Sequence, residues 1–364
     1  MTEVSPAQTG VENRQGESLM FMSRSALLGA LSATVLGGAL FGGAAQAQEV
    51  TLKVHHFLPP VANTQTRVLE PWAKQIEEAS GGRIKFEIYP SMQLGGKPPQ
   101  LIDQVRDGVV DIVWTLPAYT PGRYPTVAVF ELPFMVNTAL GTTQAVQEFS
   151  EKHLGDEFSD VHPLLFHTHA RGVIHTDDPV TKVEDLAGMK IRAPSRSIGK
   201  ALEAMGATPV FMPVPALPEA LSKGVVDGAV IPWEITIPLK ISELVKNHAV
   251  TPGPRGLYTS VFVLAMNKAK YESLPDDLKK ILDEHSGMAM AKWVGEVWDE
   301  IEGPGLKKAQ ETGTVVDLSA AEVEKMREVT ASVGTEWIAE MDGLGKDGQA
   351  LMDDANALLD KYGK

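Results

Sequence analysis

The sequence predicts an α/β protein built from two similar lobes. In the first half of the chain, predicted strands and helices follow the order strand, helix, strand, helix, strand, and the same order recurs after residue 188. The two halves also share the tetrapeptide Gly-Val-Val-Asp, at residues 108–111 and 224–227. Alternation of this kind calls for largely parallel sheets covered by helices. A chain of 364 residues is long enough for about two domains.

Glycine and proline residues delimit the elements of the first lobe. Alternating polar and apolar residues indicate two strands that stop at prolines, and a continuous apolar run before Trp114 indicates a buried third strand. Pro71 is expected to bend the first helix or to mark its true start. The predicted elements are strands over 51–57, 83–89 and 109–114, and helices over 63–80 and from Pro98 up to Gly108.

The second lobe repeats this order, and two extended runs are predicted to connect the lobes. Residues 164–176 are expected to cross from the first lobe to the second, and the apolar strand 257–266 is expected to return. Two such crossings make a hinge and a cleft. A helix that starts near Leu274 should break or bend at Gly303-Pro304-Gly305. The other predicted elements are strands over 189–192, 209–212 and 225–231, and helices over 198–205, 218–221, 320–341 and 350–362.

Composition excludes several classes of function. The chain has 33 Lys and Arg against 47 Asp and Glu, a net charge of −14, which argues against a nucleic-acid or anionic membrane partner. It has no cysteine, so it cannot form a disulfide scaffold, an iron–sulfur cluster or a thiol nucleophile. No nucleophile elbow, Walker A loop or dinucleotide-binding loop is present, so no cofactor is expected.

The N-terminus has the layout of a cleaved secretory signal peptide over residues 1–47. A polar, over-long start precedes Arg24, a Gly- and Ala-rich apolar run covers 26–45, and Ala45-Gln46-Ala47 is a small-x-small cleavage pattern. An uncleaved anchor helix is the alternative, which the glycines and the small-residue ending disfavour. We therefore expect an exported, periplasmic protein.

Candidate ligand-binding residues follow from the topology, because ligands of open α/β sheets lie beyond the carboxyl ends of the strands. Arg192 offers a planar fork that matches a carboxylate, although it could instead pair with Glu184 or Asp185 at the surface. Trp233 could stack on a ligand or cap the core. Glu234 could balance Arg192, bind a cation or, as we favour, remain solvated. The full set is His55, His56, Phe57, Trp114, Thr115, His169, Arg171, Arg192, Ser195, Met212, Val214, Ile231, Trp233 and Glu234.

The histidines invite a metal or an enzyme interpretation. His167, His169 and His175 alternate along the first crossing run and would share one strand face, and His-x-His is a usable metal pair. Arg171 interrupts that face with a positive charge, so no metal is predicted. An exported enzyme acting on organic acids, with His169 or His55 as general base, stays as an alternative.

The chain resembles the extracytoplasmic solute receptors of tripartite ATP-independent periplasmic (TRAP) transporters over residues 50–364. The resemblance is carried by Leu-Lys-Val-His-His-Phe (52–57), Glu-Leu-Pro-Phe (131–134), Leu-Ala-Gly-Met-Lys-Ile-Arg-Ala-Pro (186–194) and Gly-Val-Val-Asp-Gly-Ala (224–229). It implies a two-lobe periplasmic binding protein fold with hinge-crossing strands and a long kinked helix, over about 275–312, that spans both lobes. It also implies capture of an organic acid in the cleft and its delivery to the permease subunits in the membrane.

We expect residues 48–169 with about 258–297 to form the first lobe. Residues 170–257 with about 298–364 are expected to form the second lobe and the C-terminal helices.

The resemblance places the family's carboxylate-binding arginine at Arg192, a polar contact at Ser195 and a further contact at Val214. Three positions depart from the pattern. Ile231 replaces an asparagine found in sialic-acid-type members, Phe57 replaces a polar residue, and Arg171 matches a second arginine only if one residue is inserted. These changes remove hydrogen bonds that a sugar acid or a C4-dicarboxylate would need. Each ligand polar group left buried without a partner costs about 1–3 kcal/mol.

One arginine among Phe57, Val214, Ile231 and Trp233 suits a single carboxylate on an apolar or aromatic body. The sequence therefore predicts a receptor for an aromatic or hydrophobic monocarboxylate that resembles benzoate or an arylacetate. A C4-dicarboxylate or 2-oxo acid, with a cation at Glu234, is the alternative ligand, and a sensor-coupled binding protein is an alternative role.

Overall fold

The structure, a computed structural model, describes residues 49–363, so the predicted signal peptide over 1–47 lies outside the described residues. Eleven strands in this part of the chain form two sheets. In chain order they are β1 (Val50–His56), β2 (Ile84–Tyr89), β3 (Ile112–Thr115), β4 (Val161–Thr168), β5 (Val173–Thr176), β6 (Lys190–Ala193), β7 (Thr208–Phe211), β8 (Gly228–Ile231), β9 (Asn247–Val250), β10 (Val261–Asn267) and β11 (Thr314–Asp317).

Each sheet is the centre of one lobe. The first has the strand order β2-β1-β3-β10-β4 and the second has the order β11-β9-β5-β8-β6-β7. The strands of the repeated strand–helix–strand units pair in parallel, whereas β10 and β5 enter their sheets antiparallel to their neighbours. The predicted α/β fold with two lobes is confirmed.

Helices cover the two sheets. A π-helical stretch over Thr64–Leu69 leads directly into the first α-helix, and Pro71 is the second residue of that helix, so the change from π- to α-helical geometry coincides with the proline. The helices are α1 (Glu70–Ala79), α2 (Leu101–Arg106), α3 (Ala139–His153), α4 (Arg196–Ala204), α5 (Leu217–Ser222), α6 (Ile241–Leu244), α7 (Lys268–Glu272), α8 (Asp276–Glu284), α9 (Gly287–Glu300), α10 (Glu302–Thr312), α11 (Ala320–Gly343) and α12 (Gly348–Tyr362). None of those in the described chain is long and apolar enough to cross a membrane.

The repeated Gly-Val-Val-Asp tetrapeptide has the same two roles in both lobes: it ends a helix and it binds a neighbouring strand. Its glycine has a positive φ, 71° at Gly108 and 65° at Gly224, and ends the preceding helix. Its aspartate accepts a hydrogen bond from the backbone N–H of a neighbouring strand, at 2.8 Å for Asp111 and 2.7 Å for Asp227. The two valines lie in the turn, so β3 and β8 each begin three residues later than the apolar runs predict.

The first crossing is shorter than predicted. Residues 164–176 do pass from the first sheet to the second, but the run breaks over 169–172 between β4 and β5. His167, His169, Arg171 and His175 therefore do not share one strand face, and that prediction is wrong. The return strand β10 lies between β3 and β4 of the first sheet.

The long helix that connects the lobes bends at Ile301. Helix α9 packs on α3 and β4 of the first lobe, and α10 packs on the 3₁₀ turn Trp233–Ile235 and on α6 of the second. The bend precedes the predicted breaker by two residues. Pro304 lies inside the first turn of α10, and a proline lacks the N–H for the carbonyl of the residue four positions earlier, Glu300, and clashes with it.

The two C-terminal helices pack on different lobes. Helix α11 lies against α4 of the second lobe, whereas α12, which the sequence groups with the second lobe, lies against α3 of the first. The Asn137 side chain donates a hydrogen bond of 2.9 Å to the Leu359 carbonyl and fixes this contact. The end of the chain therefore spans both lobes.

Candidate ligand-binding site

A cavity lies between the two sheets. The first lobe, the second lobe and the segments that connect them all contribute to its wall. The lining residues are Phe57, Leu58, Trp114, Leu116, Tyr119, His169, Arg192, Pro194, Val214, Ile231, Pro232, Glu234, Ile235, Tyr258, Ser260 and Phe262.

Arg192 supplies the charge of the cavity. It is the third residue of β6, Pro194 follows that strand, and the side chain is only 2% exposed. Its Nε donates to the Met212 carbonyl at 3.0 Å and its Nη1 to the Val230 carbonyl at 3.5 Å, whereas Nη2 is buried without a partner. Glu184 and Asp185 bind other residues, so the surface ion pair considered above does not form. The cavity therefore contains an uncompensated positive charge with a free donor.

Aromatic rings form the wall that the first lobe contributes. Trp114 stacks on Phe262 with ring centroids 4.6 Å apart and planes inclined by 11°. Phe57 lies 5.0 Å from Trp114 and 5.5 Å from Tyr119, measured between centroids. The indole N–H of Trp114 is satisfied by Nε2 of His167 at 2.8 Å. This wall offers flat apolar surface suited to a ligand ring.

Two tyrosines lie near the guanidinium of Arg192. The hydroxyl of Tyr119 accepts the Val214 N–H at 3.0 Å, and no described residue accepts its own proton. Tyr258 is 1% exposed and its hydroxyl has no hydrogen-bond partner among the described residues. Burial raises the pKa of both phenols, and the charge of Arg192 opposes that rise. Both groups are therefore neutral donors beside the cation.

His169 is a neutral, fully engaged histidine. Its Nδ1 donates to the Ala170 carbonyl at 2.5 Å, and its Nε2 accepts the Ser260 N–H at 3.0 Å. Burial and, to a smaller extent, the charge of Arg192 together lower its pKa to about 4. With both ring nitrogens in use, His169 shapes the wall and has no free nitrogen to serve as a general base.

Glu234 is buried, not solvated as expected. It is 6% exposed, lines the cavity and has one carboxyl oxygen, Oε2, without a partner. Burial raises the pKa of Glu234 to about 7. Glu302 of α10 accepts the backbone N–H groups of Trp233 and Glu234 at 3.1 and 3.0 Å, which holds this turn in place. The cavity therefore has an acidic group in addition to Arg192.

Two of the predicted site residues hold loops instead of lining the cavity. His55 donates through Nδ1 to Gln104 at 2.8 Å and accepts the Leu94 N–H at 3.3 Å. Arg171 donates to the backbone carbonyls of Asn137, Gly253 and Pro254 at 2.7, 2.5 and 3.0 Å. Neither side chain contributes to the cavity wall.

Ser195 and Trp233 also lie away from the cavity. Ser195 caps α4 by accepting the Ile198 N–H at 3.4 Å. Trp233 packs behind the second sheet, with its ring edge-on to His175 and His248 at centroid distances of 4.9 and 5.4 Å. The predicted residues that do line the cavity are Phe57, Trp114, His169, Arg192, Val214, Ile231 and Glu234.

The topological rule missed the residues that precede β10. It considers carboxyl ends alone, but β10 is antiparallel to β3, so its amino end lies at the same edge of the sheet. Tyr258 and Ser260 lie there for that reason. Tyr119 lies in the 3₁₀ turn Pro117–Tyr119 just after β3, and the rule would have found it if extended by one turn.

Across residues 49–363, no group of three or more His, Cys, Asp or Glu side chains is arranged to hold a metal ion. His175 and His248 instead bind each other through their Nδ1 atoms at 2.8 Å.

The chain is similar in sequence and in structure to solute-binding proteins of one family. Residues 55–340 match the family described as bacterial extracellular solute-binding protein, family 7. A TRAP solute-binding protein from a marine metagenome, specific for aromatic acid ligands and solved with 3-hydroxybenzoate, is 48% identical, with a TM-score of 0.86 over 87% of this chain and 100% of that one. A TRAP protein from Rhodoferax ferrireducens T118, solved with copurified benzoate, is 44% identical, with a TM-score of 0.84 over 86% and 98% of the two chains.

A third solved relative is more distant. It is a TRAP periplasmic solute-binding protein from Bordetella bronchiseptica with bound (R)- and (S)-mandelate, 29% identical, with a TM-score of 0.80 over 86% of this chain and 99% of that one. The family match covers more than half of the chain, and the solved relatives share its two-lobe fold. The chain therefore belongs to family 7 of the bacterial extracellular solute-binding proteins and is a TRAP transporter receptor.

Proposed function

We propose that this receptor binds an aromatic monocarboxylate in the cavity between its lobes and that Arg192 holds the carboxylate. The observation that carries the proposal is the buried guanidinium of Arg192, which has no ion pair and leaves Nη2 unpartnered. A buried charge of this kind is stabilised by an anion that offers a bidentate partner. Tyr119 and Tyr258 line the same cavity and would add phenolic donors for this carboxylate.

The aromatic wall supports a ring as the body of the ligand. Phe57, Trp114 and Phe262 line the cavity on one side, and Val214 and Ile231 line it on the other. The three solved relatives described above hold 3-hydroxybenzoate, benzoate and mandelate, each a monocarboxylate that contains an aromatic ring. These ligands fit a cavity that offers one cationic residue, Arg192, for the carboxylate and an aromatic wall for the ring.

A dicarboxylate fits this cavity less well. Arg192 is the one cationic residue among those that line it, so a second carboxylate would have no cation to bind. Glu234 would add a repulsive group if it ionised. The C4-dicarboxylate alternative is therefore disfavoured.

We also propose that binding involves no turnover and that the chain is exported by a signal peptide cleaved near Ala47. Both ring nitrogens of His169 and of His55 are hydrogen-bonded, so neither candidate base is free. Delivery of the unchanged acid to the permease subunits then follows from the receptor's family. Recovery of the ligand unaltered after incubation, checked by mass spectrometry, tests the absence of turnover.

Calorimetric titration tests the ligand class. Protein that has been unfolded and refolded, to remove copurified ligand, is titrated with benzoate, 3-hydroxybenzoate, cyclohexanecarboxylate and succinate. We expect the aromatic acids to bind most tightly and succinate to bind weakly or not at all. Binding of succinate alone would refute the proposal.

A further inference from the structure

We propose that Glu234 is the second recognition group of the cavity and that it selects aromatic acids carrying a hydrogen-bonding ring substituent, such as a hydroxyl, away from the carboxylate. This inference rests on the proposed function. It adds a specificity determinant to the carboxylate anchor, because Arg192 alone cannot distinguish one benzoate from another.

The polar groups of the cavity fall into two sets. Tyr119, Tyr258 and His169 lie within the electrostatic influence of Arg192. Glu234 forms no ion pair with Arg192, and its own neighbours are Asn63, whose side chain donates to the Glu234 carbonyl at 3.2 Å, and Glu302. Because Arg192 and Glu234 line the same cavity and do not pair with each other, we place the ligand carboxylate at Arg192 and another part of the ring at Glu234.

Glu234 and Glu302 form an acidic pair that retains a proton near neutral pH, because burial raises the pKa of Glu234 to about 7 and that of Glu302 to about 8. Both oxygens of Glu302 accept backbone N–H groups, and Glu302 lies in the first turn of α10, where the helix dipole stabilises negative charge. Glu234 has neither advantage, since its Oε2 is buried without a donor. A protonated carboxyl offers one O–H donor and one acceptor oxygen, which is the complement of a phenolic hydroxyl.

The unpaired carboxyl of Glu234 should make the cavity discriminate strongly between hydroxylated and unsubstituted rings. An unsubstituted ring would leave the carboxyl of Glu234 buried and unsatisfied, whereas a hydroxyl in reach would satisfy it. Sites built to hydrogen-bond a ligand group reject analogues that lack the group much more strongly than apolar pockets reject an extra atom. The preference for a hydroxylated ring should therefore amount to about 10-fold or more in Kd.

The test compares benzoate, 3-hydroxybenzoate and 4-hydroxybenzoate by calorimetry. We expect the wild-type protein to bind one hydroxybenzoate about 10-fold more tightly than benzoate. Glu234→Met should abolish that preference by weakening the hydroxybenzoate while leaving benzoate within about 3-fold, and Glu234→Gln should retain part of it because the amide still donates and accepts. Glu243→Met, at an exposed glutamate of α6, is the matched control and should change neither Kd.

The possible results distinguish failure of the inference about Glu234 from failure of the proposed function. If the wild-type protein binds benzoate and both hydroxybenzoates equally, and Glu234→Met preserves the ratio, the role of Glu234 is refuted while the proposed function stands. If no aromatic acid binds the wild-type protein, the proposed function itself fails. Should Glu234→Met not fold, Glu234→Gln decides alone, and an unchanged ratio in that variant together with an absent wild-type preference overturns the inference.

Discussion

Replacing Arg192 by Met separates what this residue does for the ligand from what it does for the fold. Methionine has a similar length and no charge. In the ligand-free protein the guanidinium is 2% exposed, has no ion pair and donates to two backbone carbonyls. Burial of an uncompensated ion costs several kcal/mol, and each hydrogen bond from a charged donor returns about 1.5–3 kcal/mol. These effects oppose each other, so the ligand-free variant should be about as stable as the wild-type protein.

The bound state should lose far more. A charge-assisted hydrogen bond to the ligand carboxylate disappears in a cavity that excludes water, which costs about 2 kcal/mol or more. That loss corresponds to about a 30-fold increase in Kd, since each 1.4 kcal/mol is a factor of about ten. Arg192→Lys keeps the charge but not the planar fork, so its Kd should lie between those of wild-type and Arg192→Met.

Thermal unfolding and calorimetry with benzoate measure both effects. At a ligand concentration of about 100 Kd, binding stabilises the wild-type protein by about 2.7 kcal/mol, which raises its unfolding temperature visibly. Arg192→Met should keep the ligand-free unfolding temperature and lose about two thirds of this shift, since a Kd about 30-fold higher leaves a stabilisation of about 0.9 kcal/mol. Arg106→Ala, at an exposed arginine paired with Asp103 and Asp107, serves as the control. A Kd for Arg192→Met within about 3-fold of wild-type would refute the assignment of Arg192 as the carboxylate anchor.

Three further predictions follow from the structure. Gly172→Ala should abolish benzoate binding, because its Cβ would lie 1.7 Å from Cε1 of Tyr258, whereas Gly155→Ala, with no atom within 4 Å of its Cβ, should bind normally; equal behaviour in titrations would contradict this. Benzoate affinity should fall as the pH rises through about 7, where Glu234 loses its proton beside the anion and near Glu302, and Glu234→Gln should flatten this profile; a pH-independent wild-type Kd would be inconsistent with a protonated Glu234. The unfolding temperature should fall on acidification below pH 6.5, because five buried histidines stay neutral in the folded protein while the unfolded chain takes up protons: burial lowers the pKa of His167 and His175 to about 3 and that of His56, His169 and His248 to about 4. Each such histidine lowers stability by about 1.4 kcal/mol per pH unit, and the raised pKa values of Glu131, Glu234 and Glu302 oppose part of this loss; a flat profile would be the contrary result.

The architecture was predictable because the prolines and glycines at the ends of elements agree with the periodicity of the apolar residues along the chain. Proline and glycine ended most predicted strands and helices near their observed bounds, and the order of elements placed Arg192 at the end of a buried strand. What periodicity could not supply is the direction of the chain after a strand ends. Ile231 lines the cavity, but Pro232 starts a 3₁₀ turn that directs Trp233 behind the sheet and Glu234 into the cavity. Alternation along a strand therefore misassigns residues beyond the turn.

The burial and the protonation state of Glu234 could not be predicted from the sequence either. Glu234 was expected in solvent because an isolated glutamate is rarely buried. Its burial depends on Asn63 from the other lobe and on Glu302 from α10, two contacts between residues 171 and 68 positions apart. Such long-range contacts leave no local pattern. The strand-end rule selected both Arg192 and Glu234, but only Arg192 also lies in a motif that carries the family resemblance, so a role could be predicted for Arg192 and not for Glu234.

The cavity links ligand binding to closure of the lobes, because its wall is completed by hydrogen bonds between them. The Val214 N–H of the second lobe donates to Tyr119 of the first at 3.0 Å, and Asn63 of the first lobe donates to the Glu234 carbonyl of the second at 3.2 Å. Each partner contributes to the wall or adjoins a residue that does. A ligand that contacts Arg192 and the aromatic wall together gains its full set of contacts only when these bonds are made, so it favours the closed arrangement. On the proposed function, the groups that bind the acid would therefore also stabilise the conformation in which the receptor delivers it.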